Sequence, residues 1–158
     1  MKQDNLTLKG KFRYTKYRNG EVVYVSPWIE NLILQNDAPC GLYVILNRML
    51  GITTHDIEIT SAEIGTGSTA PAITDTSLVA MVLDGIPIAT RSRDADDEIT
   101  FVFFINDKEL ADGTYNEIGL RAGTQLFARA LIDPSFTKST GEDFRFDYTI
   151  TASPTIEA

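Results

Sequence analysis

The chain has 158 residues, a formal net charge of −8 and a pI of about 4.6. That length fits one domain with room for a real core, and 43% apolar with 23% charged residues is ordinary for a soluble globular fold. An acidic balance argues against nucleic acid as the main partner, the lone Cys40 excludes an intrachain disulfide, and no apolar run approaches the 20 or so residues of a membrane span.

In chain order, residues 6 to 26 read as a β-hairpin. Phe12 and Tyr14 share one parity, Asn19-Gly20 is a two-residue turn signal, and Glu21 to Ser26 forms the return strand ahead of Pro27. Lys9, Lys11, Arg13, Lys16 and Arg18 mostly alternate with apolar residues and fit the solvent face of a strand. Asn31-Leu-Ile-Leu-Gln35 is a short apolar run that suits another strand. The one convincing helix is expected around residues 38–50, because Leu42, Ile45, Leu46, Met49 and Leu50 fall at helical spacing. Asp37 is placed to cap it, Pro39 to sit in its first turn and Gly51 to stop it. Cys40 reads as a buried structural thiol.

Ile57, Ile59, Ala62 and Ile64 suggest a strand that runs into a glycine-rich stretch, Ile64-Gly-Thr-Gly-Ser-Thr-Ala-Pro-Ala-Ile-Thr-Asp-Thr-Ser-Leu78. Gly65 and Gly67 are expected to supply unusual backbone angles there. Asp75 is expected to cap a helical turn that ends before Pro87. Residues 98 to 106 are almost continuously apolar, the pattern of a strand covered on both faces. Asp112-Gly113 marks a turn, Tyr115 to Leu120 starts a strand, and Ala122-Gly-Thr-Gln turns the chain into Leu126 to Ile132. Phe144, Phe146, Tyr148 and Ile150 then alternate with Arg145, Asp147, Thr149 and Thr151, as in a half-buried strand. Short strands divided by turns, with one helix between, predict a mainly β fold: an antiparallel β-sandwich, jelly-roll-like or an open barrel. The whole chain 1–158 reads as a single β-rich domain, with 1–30 as a hairpin or arm extension.

Chemistry is hard to find. His55 is the sole histidine and sits in Thr53-Thr-His-Asp, where a solvated loop is expected. GxSxG and HExxH are absent. The acidic run Asp94-Ala-Asp-Asp-Glu98 lacks the spacing and turn glycine of a calcium loop and reads as solubilising charge before an apolar strand. The glycine stretch fails as a phosphate cradle, because no lysine follows it until Lys108 and position 70 is alanine. No catalytic residue, cofactor or metal site is expected, and the protein is not expected to be an enzyme.

Four phrases in order carry a resemblance. Asn31-Leu-Ile-Leu with Gly41-Leu42, the glycine stretch 64–78, Gly113-Thr-Tyr-Asn-Glu-Ile-Gly-Leu120, and Leu126-Phe-Ala-Arg-Ala through Thr137-Lys138 to Tyr148-Thr-Ile-Thr151 resemble small virion structural proteins of tailed bacteriophages. The resemblance spans roughly residues 31 to 151. It implies a non-enzymatic virion component made in the host cytoplasm, foremost a capsid decoration or cement protein that bridges capsid subunits. A tail, baseplate or fibre-attachment part is the alternative. It implies other virion proteins as partners, the major capsid protein or tail proteins, and a homo-oligomer. Neither nucleic acid nor membrane is expected as a partner. Trp28, Tyr17 and Arg18 are the candidate interface residues, with Tyr24 weighed against cross-strand packing. A carbohydrate-binding β-sandwich is the reading from a different class, and it requires exposed aromatics on one concave face beside polar side chains.

Overall fold

The computed structural model describes residues 4–156. Twelve strands and one α-helix follow in chain order: β1 Asp4–Arg18, β2 Glu21–Val25, β3 Ile29–Ile33, β4 Gln35–Asn36, β5 Cys40–Gly41, α1 Leu42–Met49, β6 Ile59–Gly65, β7 Met81–Pro87, β8 Thr90–Ala95, β9 Glu98–Ile105, β10 Gly113–Ala122, β11 Gln125–Lys138 and β12 Glu142–Ile156, with a 3-10 turn at Asp107–Glu109. The fold is mainly β, an antiparallel sheet curled into a half-barrel, which agrees with the expected sandwich or open barrel.

The large sheet runs β7-β6-β10-β11-β3-β1-β12-β9-β8. β12 pairs with β1 from Asp4 to Arg18, so β3 and β2 share the opposite edge of β1, at residues 10–12 and 15–18 respectively. The first strand therefore lies in the middle of the sheet. The two ends of the sheet are consecutive in the chain. Between β7 and β8, Ile88 N–H donates to Thr60 O (3.4 Å) and Ala89 N–H to Val102 O (2.8 Å), handing the backbone from the β6 side to the β9 side. That corner is what curls the sheet on itself.

Alternation decides what lies inside. Phe144, Phe146, Tyr148 and Ile150 of β12 are all buried. The β1–β12 register sets Phe12 opposite Tyr148 and Tyr14 opposite Phe146, and the β12–β9 register sets Phe103 opposite Phe146. Phe136 of β11 closes this aromatic cluster from the other side. Its ring centroid lies 4.1 Å from Phe144, 5.2 Å from Tyr14 and 5.7 Å from Phe146. Such offset and edge contacts add to the area each ring removes from water. The hairpin turn is as expected, with Asn19 at φ 52° and Gly20 at φ 78°.

Several expectations are corrected. The helix begins at Leu42 rather than near 38, and Asp37 does not cap it. Residues 35–41 instead double back, pairing Gln35 with Gly41 and Asn36 with Cys40. Gly41, at φ 59°, makes the entry turn. A Cβ there would sit 1.9 Å from Leu34 O, so only glycine fits. The apolar stripe of α1 is covered only in part: Ile45 packs against the main core, whereas Met49 and Leu50 at its C-terminal end are 78% and 77% exposed. Periodicity reports that a stripe exists and not what it meets.

After the glycine stretch no helical turn leads to Pro87. Residues 66–80 are irregular and β7 follows. Ile57 lies outside β6 and is exposed. β9 is not covered on both faces throughout, because Phe104 points to solvent among buried neighbours.

Candidate functional site

Residues of the second, third and fourth phrases meet in one feature, the irregular stretch 66–80 and the charged side chains beneath it. The outer face of β10 and β11 lies opposite the aromatic core. It carries a small second core of Leu34, Cys40 and Leu126, and beside this lie Glu117 and Arg129, both effectively removed from solvent. Charges buried so deeply are stable only when paired and fully hydrogen-bonded.

They are. Glu117 Oε1 accepts from Gly67 N–H (3.0 Å) and Ala80 N–H (2.7 Å), and Oε2 accepts from Val79 N–H (3.0 Å). Arg129 donates to Glu117 Oε2 through Nε (3.2 Å) and Nη2 (3.0 Å). Its Nη2 also reaches Thr69 O, and its Nη1 reaches Asp75 Oδ2, each at 2.7 Å. Asp75 in turn accepts from Ala72 N–H (2.9 Å), and its carbonyl accepts from Asn36 Nδ2 (2.8 Å). One carboxylate thus holds both ends of the stretch while one guanidinium holds its middle.

Burial pushes the Glu117 carboxyl up. The N–H groups of Ala80 and Val79, the Arg129 guanidinium and the Gly67 N–H outweigh it and hold the carboxyl below the usual carboxylate range. Asp75 does not cap a helix, as expected from the sequence, but ties the stretch back on itself. Gly65 and Gly67 are not in the left-handed region, so their role is space rather than unusual angles. A Cβ on Gly67 would lie 2.5 Å from Glu117 Oε1 and 2.6 Å from Val79 Cβ.

Two further buried charges lie at strand ends, Lys138 at the end of β11 and Glu142 at the start of β12. Lys138 Nζ donates to Asp107 Oδ1 (2.7 Å) and Asp112 Oδ1 (3.1 Å). Burial pulls the ammonium pKa down, and these hydrogen bonds outweigh it and raise it. Glu142 is met by Lys16 at 2.9 Å and Arg18 at 3.1 Å. Burial raises its carboxyl and the two cations bring it below the usual range.

Of the candidate interface residues, Arg18 is therefore spent in part on Glu142, and it shares the hairpin end of β1 with Tyr17. Tyr24 packs its ring on Tyr14 at 5.7 Å, the cross-strand alternative. Trp28 lies apart from both. It is 43% exposed on the outer face of the sheet, with Lys11 Nζ and Arg13 Cζ each 4.7 Å from its ring centroid. Of the basic residues expected on a solvent face, Lys9, Lys11 and Arg13 share the outer parity of β1, while Lys16 and Arg18 take the other and meet Glu142.

The acidic run does not gather into a ligand set. Asp94 accepts from Ser92 (3.0 Å) and from Thr100, Asp97 from Ser153 (3.3 Å), and Glu98 from Thr151 (3.3 Å). Among the described residues no three metal-ligating side chains converge. Cys40 is buried and burial raises its thiol. His55 contributes its carbonyl to Arg48 Nη2 (3.0 Å).

Sequence reasoning missed Glu117, Arg129, Lys138 and Glu142. The available signal was a charged residue flanked by apolar neighbours, as in Ala128-Arg129-Ala130, a signal that Lys138 between Thr137 and Ser139 does not carry. Comparison with family models, curated proteins and solved structures returned no match.

Proposed function

We propose that the chain is a non-enzymatic structural component of a tailed-phage virion, foremost a decoration protein that bridges capsid subunits. The observation that carries this reading is how the shared phrases spend their polar residues. Gly67, Thr69 and Asp75 of the second phrase, Glu117 of the third, and Arg129 and Lys138 of the fourth are all engaged in buried clamps. A resemblance borne by clamp residues is a resemblance of architecture, and supports an architectural role.

The solvent-facing stripe Leu46, Met49 and Leu50 on α1 supports a part that meets protein surfaces, because an apolar helix face left in water favours burial against a neighbour. Many weak copies of such a contact, repeated by symmetry, bind through avidity. Mass spectrometry of purified particles, followed by immunogold labelling, tests the proposal. Label on the head supports decoration, and label on the tail moves the role to a tail or baseplate part. Particles that lack the chain refute both.

A further inference from the structure

We infer that the outer sheet face around Trp28 is a binding site for an uncharged sugar. A groove of about 380 Å³ crosses β1, β12, β9 and β8 there, with Trp28, Arg13, Asp94, Thr100, Arg145 and Asp147 in its wall. That volume is in the range of small-ligand clefts. None of the clamp residues that hold the 66–80 stretch takes part, so the inference does not rest on the virion reading.

The register builds the groove. β1 sets Arg13 opposite Asp147 and Lys11 opposite Thr149. β9 sets Thr100 opposite Thr149 and Val102 opposite Asp147, and β8 adds Ser92 beside Thr100 and Thr90 beside Val102. The result is a rigid lattice of hydroxyls, carboxylates and guanidinium groups on paired strands. Its members are already oriented: Arg145 grips Asp147 through Nε and Nη2 (2.9 to 3.3 Å), and Thr100 Oγ1 lies 2.9 Å from Thr149 Oγ1. Groups fixed before binding cost little further ordering when a ligand arrives.

The chemistry of this wall selects the ligand. Arg13 and Arg145 stand against Asp94, Glu98 and Asp147, and Lys11 on the Trp28 ring balances the count. A site without net charge gives no preference for phosphate or sulfate, or for a cation. Carboxylates and guanidinium forks each bind two neighbouring hydroxyls at once, the pattern a pyranose presents along its edge. Arg13 Nε has no hydrogen-bond partner among the described residues. Its guanidinium is steadied by the Trp28 ring instead of a carboxylate, and can turn toward a ligand oxygen. Trp28 supplies the one aromatic plane in the groove, suited to the C–H face of a sugar ring.

Trp28 is the only tryptophan in the chain, so intrinsic emission reports on this one ring. The full chain is titrated with maltose, lactose, cellobiose and diacetylchitobiose, and displayed in multivalent form on an array of neutral and sulfated glycans. The expected result is a saturable emission change for at least one neutral sugar, with a dissociation constant on the order of 1 mM. It should be indifferent to salt between about 0.05 and 0.5 M. On the array, Trp28→Ala and Asp94→Asn each weaken binding tenfold or more while unfolding at the wild-type temperature, and Trp28→Phe restores part of it. No neutral glycan bound on either assay overturns the inference. So does binding confined to sulfated glycans and lost in salt, or binding that survives Trp28→Ala.

Discussion

Arg129→Met removes the guanidinium that joins Glu117, Asp75 and the Thr69 carbonyl while keeping most of the side-chain volume. Glu117 remains buried with its charge and keeps three backbone donors, Gly67, Val79 and Ala80. It loses its ion-pair partner, and Asp75 loses its 2.7 Å contact. Removing one member of a buried pair costs about 3–5 kcal/mol. For a domain of this size 1 kcal/mol moves the melting temperature by about 2–4 °C, so a drop of roughly 6–20 °C is expected. Calorimetry measures the drop. Thermolysin, which cuts before bulky apolar residues, should nick the variant near Ile73, Leu78 or Val79 under conditions that leave the wild type intact. Glu117→Gln should be no gentler, since one amide oxygen cannot serve both sets of donors now shared between Oε1 and Oε2. A melting temperature within 2 °C of wild type, with unchanged thermolysin resistance, would refute the clamp.

Gly67→Ala forces a methyl group onto Glu117 Oε1 and Val79 Cβ and should cost about 1–3 kcal/mol by overpacking, read as a lower denaturant midpoint. Acid should destabilise through Glu117 and Glu142, whose folded-state pKa values are lowered. Their contribution is fully present above the unfolded carboxylate value of about 4.3 and is lost as pH falls through the lowered folded values. Denaturant midpoints between pH 7 and 3 should fall less steeply in Glu117→Gln than in wild type. On α1, Met49→Glu with Leu50→Glu should leave stability within about 0.5 kcal/mol while abolishing incorporation into particles. Normal incorporation would remove the helix stripe from the contact surface. Phe136→Ala opens the centre of the aromatic cluster and should cost about 3–5 kcal/mol by equilibrium unfolding.

Alternation in Phe144 to Thr151 and the Asn19-Gly20 turn were enough to read β12 and the hairpin, because strand parity and turn chemistry are local properties. The same locality made the mainly β class legible, and made Cys40 readable as a buried thiol. Tertiary structure decided the rest. Whether the Leu46–Met49–Leu50 stripe meets a core or water depends on what the rest of the chain lays beside α1, which no period encodes. The 66–80 stretch takes its shape from partners 37 to 60 residues away in the chain. Arg129 and Glu117 look like any strand charges until β10 and β11 are paired and the stretch is folded over them. The Trp28 groove likewise exists only once the β1–β12–β9–β8 register sets its lining side by side. Local pattern settles which residues form strands. Register and long-range charge pairing settle which surfaces those strands bury, clamp or present.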